Sequence, residues 1–241
     1  HFFDAGQSDE GAAFVYIGGA EGVRSGTPFT AQTTLQSNQT NAELGASVAG
    51  AGDVNGDGVS DVIVGAPGYD AGQFDEGAAF VFLGSQSGIP NGTPSTAVAT
   101  LQSDQAGARL GHSVAGAGDV NGDGYGDIIV GAYDYSAGQS TEGAAFVFHG
   151  GPAGISSGSP ATANSTLQSD QVQSRFGIRV SGLGDVNGDG YSDVIVGALY
   201  FDAGQTDEGA AFVFHGGPLG IANGNPTTAN STLQSDQANA T

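Results

Sequence analysis

Short apolar runs rich in β-branched and aromatic residues alternate along the chain with stretches of glycine, serine, asparagine and aspartate. Residues 113–117, Ser-Val-Ala-Gly-Ala, are small and predict a short strand packed closely against its neighbours. Asp127-Ile128-Ile129-Val130-Gly131-Ala132 is β-branched and bounded by glycine, which predicts a buried strand. A polar loop over 133–142 leads to a third strand at 144–148, Ala-Ala-Phe-Val-Phe. A Gly/Pro-rich connection over 150–160 leads to a fourth strand around 165–169. No stretch shows the 3.6-residue period of an amphipathic helix. The expected fold class is all-β.

The same pattern returns every 66 residues. Glu10, Glu76, Glu142 and Glu208 each precede Gly-Ala-Ala-Phe-Val, and Leu35, Leu101, Leu167 and Leu233 each open a Leu-Gln-Ser-(Asn/Asp)-Gln segment. Three whole units, 44–109, 110–175 and 176–241, follow a partial unit, 1–43. Relative to four complete units the missing part corresponds to 44–66. Four short strands per unit, stacked by repetition, predict a β-propeller of four-stranded antiparallel blades, about 3.5 of them in this chain. One blade alone leaves its faces uncovered, so neighbouring blades supply the core.

Between the first two expected strands of each whole unit lies an acidic loop. Its three copies are Asp53-Val54-Asn55-Gly56-Asp57-Gly58-Val59-Ser60-Asp61, Asp119-Val120-Asn121-Gly122-Asp123-Gly124-Tyr125-Gly126-Asp127 and Asp185-Val186-Asn187-Gly188-Asp189-Gly190-Tyr191-Ser192-Asp193. Oxygen-bearing side chains on alternate residues, a glycine at the sixth position and a usable carbonyl at the seventh are what a hard cation such as Ca²⁺ asks of a loop. The expected ligands of three Ca²⁺ sites are the side chains of Asp53, Asn55, Asp57 and Asp61 with the Val59 carbonyl, then Asp119, Asn121, Asp123 and Asp127 with the Tyr125 carbonyl, then Asp185, Asn187, Asp189 and Asp193 with the Tyr191 carbonyl. An acidic turn without metal is the bland alternative, but three aspartates within nine residues would repel one another with nothing to offset it. An EF-hand is excluded because its twelfth position needs a bidentate Glu, and Val64, Val130 or Val196 stands there, in a strand rather than a helix.

With these motifs in register the chain resembles the FG-GAP repeats of the integrin α-subunit propeller, and more closely bacterial secreted proteins built from the same repeat. Leu44-Gly45, Leu110-Gly111 and Phe176-Gly177 match the "FG". Gly65-Ala66-Pro67 matches the "GAP" in full, while Gly131-Ala132-Tyr133 and Gly197-Ala198-Leu199 lack its proline. The resemblance covers the whole chain. It implies a propeller whose rings usually close with seven blades, and calcium loops built as hairpins.

Charge narrows the partners. The 25 acidic residues face 4 basic ones, Arg24, Arg109, Arg175 and Arg179, for a formal charge of -21. Three Ca²⁺ would still leave about -15. No basic patch exists to neutralise phosphates, which argues against nucleic acid and anionic membranes. No apolar run approaches the roughly 18 residues of a membrane helix. The chain lacks cysteine, so thiol and disulfide chemistry are absent. It opens on His1, has no methionine and shows no signal peptide, which reads as a processed or excised piece. Calcium at millimolar levels is an extracellular condition, so the expected location is secreted or cell-surface.

Other chemistry-bearing residues each have a plainer explanation. Asp70, Asp75 and Glu76, with their counterparts Asp4, Asp9, Glu10 and Asp202, Asp207, Glu208, suggest a further cation site or, better, a solvated loop whose Glu caps backbone amides. The third copy has Ser136 and Thr141 in place of the two aspartates. Gly111-His112-Ser113-Val114-Ala115 resembles a nucleophile elbow but leads into a strand, with no helix behind it. His149 and His215 share a repeat position with Ile17 and Leu83, which suits packing. Arg175 and Arg179 break the uniformity of the repeat and are candidates for a specific contact.

Three functions stay in play. The first is a calcium-binding, non-catalytic extracellular adhesion or interaction module for a protein or glycan ligand. The second is a self-assembling structural protein, because an incomplete blade leaves an open sheet edge. The third is a carbohydrate-binding propeller using Tyr69, Tyr133, Tyr135 or Tyr200.

Overall fold

The structure is a computed structural model that describes residues 2–4 and 6–239. Fourteen strands form three four-stranded sheets and one two-stranded sheet, all antiparallel. The two-stranded sheet pairs β1 (Ala12–Val15) with β2 (Thr33–Gln36). The next sheet runs β3 (Ser47–Gly52), β4 (Asp61–Ala66), β5 (Ala78–Phe82), β6 (Ala99–Gln102). Then come β7 (Ser113–Gly118), β8 (Asp127–Ala132), β9 (Ala144–Phe148) and β10 (Ser165–Gln168). The last sheet contains β11 (Phe176–Gly184), β12 (Asp193–Ala198), β13 (Ala210–Phe214) and β14 (Ser231–Gln234). Each sheet is a simple meander, and β3 packs on β7 and β7 on β11, so the first strands line the inside of the arc. This is the β-propeller architecture that the strand pattern predicts, with the strands at the expected positions.

The register repeats too. Val64 faces Phe80, Val130 faces Phe146 and Val196 faces Phe212 across β4–β5, β8–β9 and β12–β13. Phe80, Phe146 and Phe212 are buried and fill the spaces between sheets. Burying a side chain of this size contributes about 1.5–3 kcal/mol.

The paired motif residues explain themselves here. Leu110 and Phe176 are fully buried and bridge to Gly77 and Gly143 of the preceding unit. The glycine that follows each is pressed on that unit's backbone: a Cβ on Gly111 would lie 2.2 Å from the Ala78 oxygen, at a φ of +85°. Glycine alone tolerates both conditions. On β8 a Cβ at Gly131 would lie 2.0 Å from the Gly177 oxygen of the following unit. The "FG" and the "GAP" glycines are therefore where successive blades touch main chain to main chain.

One local feature lies outside the strand pattern. Three one-turn 3-10 helices, Pro28–Thr30, Pro94–Thr96 and Pro160–Thr162, sit in the connection before the fourth strand of a unit. Each has proline in its first turn and a Ser/Thr capping box, as in Thr27 N–H donating to Thr30 Oγ1 at 2.8 Å. A single turn is too short to show a helical period.

Candidate metal centre

Each acidic loop is the hairpin between the first two strands of a four-stranded sheet, entered through a bulge at Gly50/Gly52, Gly116/Gly118 or Gly182/Gly184. The backbone turns back through two glycines with positive φ, Gly122 at +74° and Gly124 at +89° in the second loop. The first aspartate organises the turn. Asp119 Oδ1 accepts the N–H of Gly122 at 2.7 Å and of Asp123 at 3.1 Å, and Oδ2 accepts Gly124 N–H at 2.9 Å. Asn121 Oδ1 accepts Asp123 N–H at 3.0 Å, and Asp123 Oδ1 accepts Tyr125 N–H at 3.0 Å. Asp53, Asn55 and Asp57, with Val59, and Asp185, Asn187 and Asp189, with Tyr191, make the same set.

The last aspartate of each loop is different, because it opens a buried strand. Asp61, Asp127 and Asp193 are fully buried. Asp127 Oδ2 accepts Val120 N–H at 2.8 Å and Oδ1 accepts Gly150 N–H at 2.9 Å. Asp61 holds Val54 and Gly84, and Asp193 holds Val186 and Gly216, in the same way. Burial pushes the Asp127 carboxyl up to about 6, with the charges of Asp123 and Asp119 adding to it and the two N–H bonds opposing. Asp61 is raised for the same leading reason. Asp185, by contrast, is held below the usual carboxylate range, chiefly by the Gly190 N–H.

The donor set fits a hard divalent cation in kind. Each loop gathers three carboxylates, an amide oxygen and a main-chain carbonyl, and among the described residues no ion pair involves a loop aspartate. The buried carboxylate therefore has two acidic neighbours and no cationic side chain paired with any of them. The side chains as placed are turned to the loop's own amides. Asn121 Nδ2 donates to Asp123 Oδ2 at 2.8 Å, and among the described residues no three Asp, Glu, His or Cys side chains converge on one point. Asp53, Asn55, Asp57, Asp61 and the Val59 carbonyl would hold an ion in the first loop, with the corresponding sets in the other two. What such an ion would supply there is positive charge and a fixed turn.

The loops also join one blade to the next, which the sequence pattern did not show. The Asp53 carbonyl accepts Gly126 N–H at 2.7 Å, and the Asp119 carbonyl accepts Ser192 N–H at 2.9 Å. The Val54 and Val120 carbonyls accept Gly151 and Gly217 N–H, each at 3.0 Å. The Tyr125 and Tyr191 rings cover Gly56 and Gly122, where a Cβ would come within 2.7 Å. His149 Nδ1 lies 3.3 Å from Asn121 Nδ2, and His215 Nδ1 lies 3.1 Å from Asn187 Nδ2. The corresponding residue in the first whole unit is Leu83. The only trace of this in the sequence is one repeat position that alternates between aliphatic residues and histidine.

The remaining candidates resolve into loop structure. Glu142 Oε1 accepts the N–H of Ala137 at 2.7 Å and Gln139 at 3.2 Å, so it caps loop amides. Asp70 Oδ1 accepts Asp75 N–H at 2.6 Å, and Asp75 pairs with Arg109 at 2.8 Å. Ser113 is buried and its Oγ accepts Val180 N–H at 3.0 Å, a link between sheets. Arg175 stands between the Tyr133 and Tyr200 rings, at 5.5 and 5.1 Å, with Asp134 at 3.9 Å. Arg179 Nη1 is 3.3 Å from His112 Nδ1, and the His112 ring meets Tyr133 edge-on. The charges of Arg179, Arg109 and Arg175 all reach His112.

Comparison with known proteins agrees with this geometry. The FG-GAP repeat matches residues 44–82, 110–148 and 176–214, the first three strands of each four-stranded sheet with the acidic loop between the first two. The chain belongs to the FG-GAP repeat family. Integrin alpha-5 of Xenopus laevis is 30% identical over 219 residues, covering 88% of this chain and 20% of that protein. Phosphatidylinositol-glycan-specific phospholipase D of Homo sapiens is 32% identical over 182 residues, 73% of this chain and 21% of that protein. This FG-GAP chain thus spans about a fifth of the length of these relatives.

Proposed function

We propose that this FG-GAP chain is a calcium-stabilised, non-catalytic interaction module that works outside the cell, with 44–109, 110–175 and 176–241 as its units after a partial unit 1–43. The observation that carries the calcium part is the uncompensated loop charge around a buried carboxylate. An ion there offsets that charge and stiffens the turn through which one blade donates to the next. Similarity to integrin alpha-5 and integrin alpha-4 supports an interaction role, and similarity to a phospholipase D is consistent with FG-GAP repeats sitting beside a separate catalytic part. No helix is long and apolar enough to cross a membrane among the described residues.

Terbium luminescence sensitised by Tyr125 and Tyr191 tests the metal. Saturation with competition by Ca²⁺ supports the proposal. No sensitised emission, together with a melting curve unmoved by EGTA, sinks it.

A second reading rests on a polar cavity of about 660 Å³ lined by Gln105, Asp134, Ser136, Gln173, Arg175 and Tyr200. Its hydrogen-bonding groups and its tyrosine suit a carbohydrate. A glycan array separates the two, since specific glycan binding lost in Tyr200→Ala favours the lectin reading.

A further inference from the structure

The chain contains five Asn-Gly dipeptides, and they fall into two classes. Three lie in the turns of the acidic loops, Asn55-Gly56, Asn121-Gly122 and Asn187-Gly188, and the glycine of each is exposed. The other two, Asn91-Gly92 and Asn223-Gly224, stand in the connections that cover the fourth strand of the preceding unit. An asparagine side chain is most readily attacked by the main-chain nitrogen that follows it when that nitrogen belongs to glycine, which has no Cβ in the way and turns freely. What keeps such an amide intact is whatever holds the glycine nitrogen and the asparagine side chain in place.

In the acidic loops these restraints are local, and carboxylates supply them. Gly56 N–H donates to Asp53 Oδ1 at 2.7 Å, Gly122 to Asp119 Oδ1 at 2.7 Å and Gly188 to Asp185 Oδ1 at 2.6 Å. Asn121 is fixed at both ends of its amide, since Oδ1 accepts Asp123 N–H at 3.0 Å and Nδ2 donates to Asp123 Oδ2 at 2.8 Å. Asn55 and Asn187 are held by Asp57 and Asp189 in the same way. The aspartates that lock each Asn-Gly are the ones that repel one another in the loop, so the lock is as firm as the offset of their charge. In the connections the restraints are different. Gly92 N–H donates to the Thr34 carbonyl and Gly224 N–H to the Thr166 carbonyl, each at 3.1 Å, while Asn91 and Asn223 Oδ1 accept the N–H of Thr34 and Thr166, each at 2.8 Å. These bonds join neighbouring sheets and use no carboxylate.

We infer that Asn55, Asn121 and Asn187 are calcium-gated deamidation sites, which record how long a loop has been without its ion. The gating rests on the calcium reading proposed for these loops. With an ion bound, the charges of Asp119 and Asp123 are offset and the turn around Asn121 and Gly122 stays closed. Without it their repulsion opens the turn more often, Gly122 N comes free and Asn121 rotates onto it. Hydroxide from solvent removes the Gly122 amide proton, and the nitrogen attacks Asn121 Cγ. The new C–N bond closes a cyclic imide as the Cγ–Nδ2 bond breaks, and ammonia leaves with a proton from water. Water then opens the imide at either carbonyl, giving an aspartyl or an isoaspartyl residue. The net change is amide plus water to carboxylic acid plus ammonia, with nothing oxidised or reduced. The isoaspartyl product lengthens the main chain by one methylene inside the turn. That throws the alternating oxygen donors out of register, so the loop no longer rebinds its ion.

Peptide mapping by mass spectrometry tests this on the 241-residue chain, held at mildly alkaline pH in Ca²⁺ or in EGTA, below the melting temperature in either. Asn91 and Asn223 serve as references within the same molecule. The expected result is conversion at Asn55, Asn121 and Asn187 that is about a hundredfold slower with Ca²⁺ at about a hundred times its Kd than in EGTA, because the open population falls by that factor. Conversion at Asn91 and Asn223 changes little between the two. Aged protein returned to metal shows sensitised terbium emission reduced in proportion to the isoaspartyl content at Asn121 and Asn187. If terbium binds but the loop asparagines convert at the same rate with and without Ca²⁺, the gating is overturned and the calcium reading stands. Equal calcium dependence at all five asparagines also overturns it, since that marks opening of the whole chain. So does full terbium emission from protein mapped as isoaspartyl. Absence of terbium binding overturns both readings.

Discussion

The buried carboxylate of Asp127 accepts the main-chain N–H of Gly150 at 2.9 Å, tying the acidic loop to the end of β9, 23 residues away in sequence. Its other oxygen holds Val120 inside the loop. One side chain thus closes the hairpin and fixes the exit of a neighbouring strand. Asp127→Ala leaves two buried N–H groups without acceptors, and each charge-assisted bond contributes about 1.5–3 kcal/mol. The expected loss in chemical denaturation is roughly 3–5 kcal/mol, with Asp61→Ala of similar size. A change below about 1 kcal/mol would show that the carboxylate is replaceable by water there.

Metal removal should act on the whole chain, because each loop donates to or accepts from the next blade through Gly126 and Asp53, or Ser192 and Asp119. A ligand at about a hundred times its Kd stabilises by roughly 2.7 kcal/mol per site. Differential scanning fluorimetry in excess EGTA should show a melting temperature lower by about 10 °C or more than in Ca²⁺. Magnesium should restore less, since its octahedral shell fits a flexible oxygen loop poorly.

The contact between blades at Gly131 admits no side chain. Gly131→Ala brings a Cβ within 2.0 Å of the Gly177 oxygen, backbone that cannot swing away. The expected cost is about 3 kcal/mol or more, at the upper end of overpacking. Gly138→Ala is the control, with nothing within 4 Å of its Cβ. Equal melting temperatures for the two variants would contradict the packing described.

Acid should weaken the region of His112. Burial, then the charge of Arg179, hold this histidine below its usual range. The folded state therefore binds the proton less well than the unfolded chain. Its contribution is present above the unfolded pKa of about 6.5 and is lost as pH falls below that value through the lower folded one. Between pH 7.5 and pH 5 in saturating Ca²⁺, wild type should lose more stability than His112→Gln. Parallel pH curves for the two proteins would remove His112 from the account.

The strands, the unit length and the acidic loops follow from sequence alone. Val-Ile-Val and Ala-Phe-Val-Phe runs have one conformation that buries them, and spacing repeated every 66 residues cannot arise without repeated structure. The acidic loops were legible as candidate cation sites because their chemistry is local, set by alternate side chains in one turn. Tertiary structure decided what depends on residues far apart. It placed His149 on Asn121, the Tyr191 ring on Gly122 and Arg175 between Tyr133 and Tyr200. It also buried Leu101 completely beneath the Gly158 segment of the following unit. That contact joins residues far apart in the chain, so no local pattern could show it.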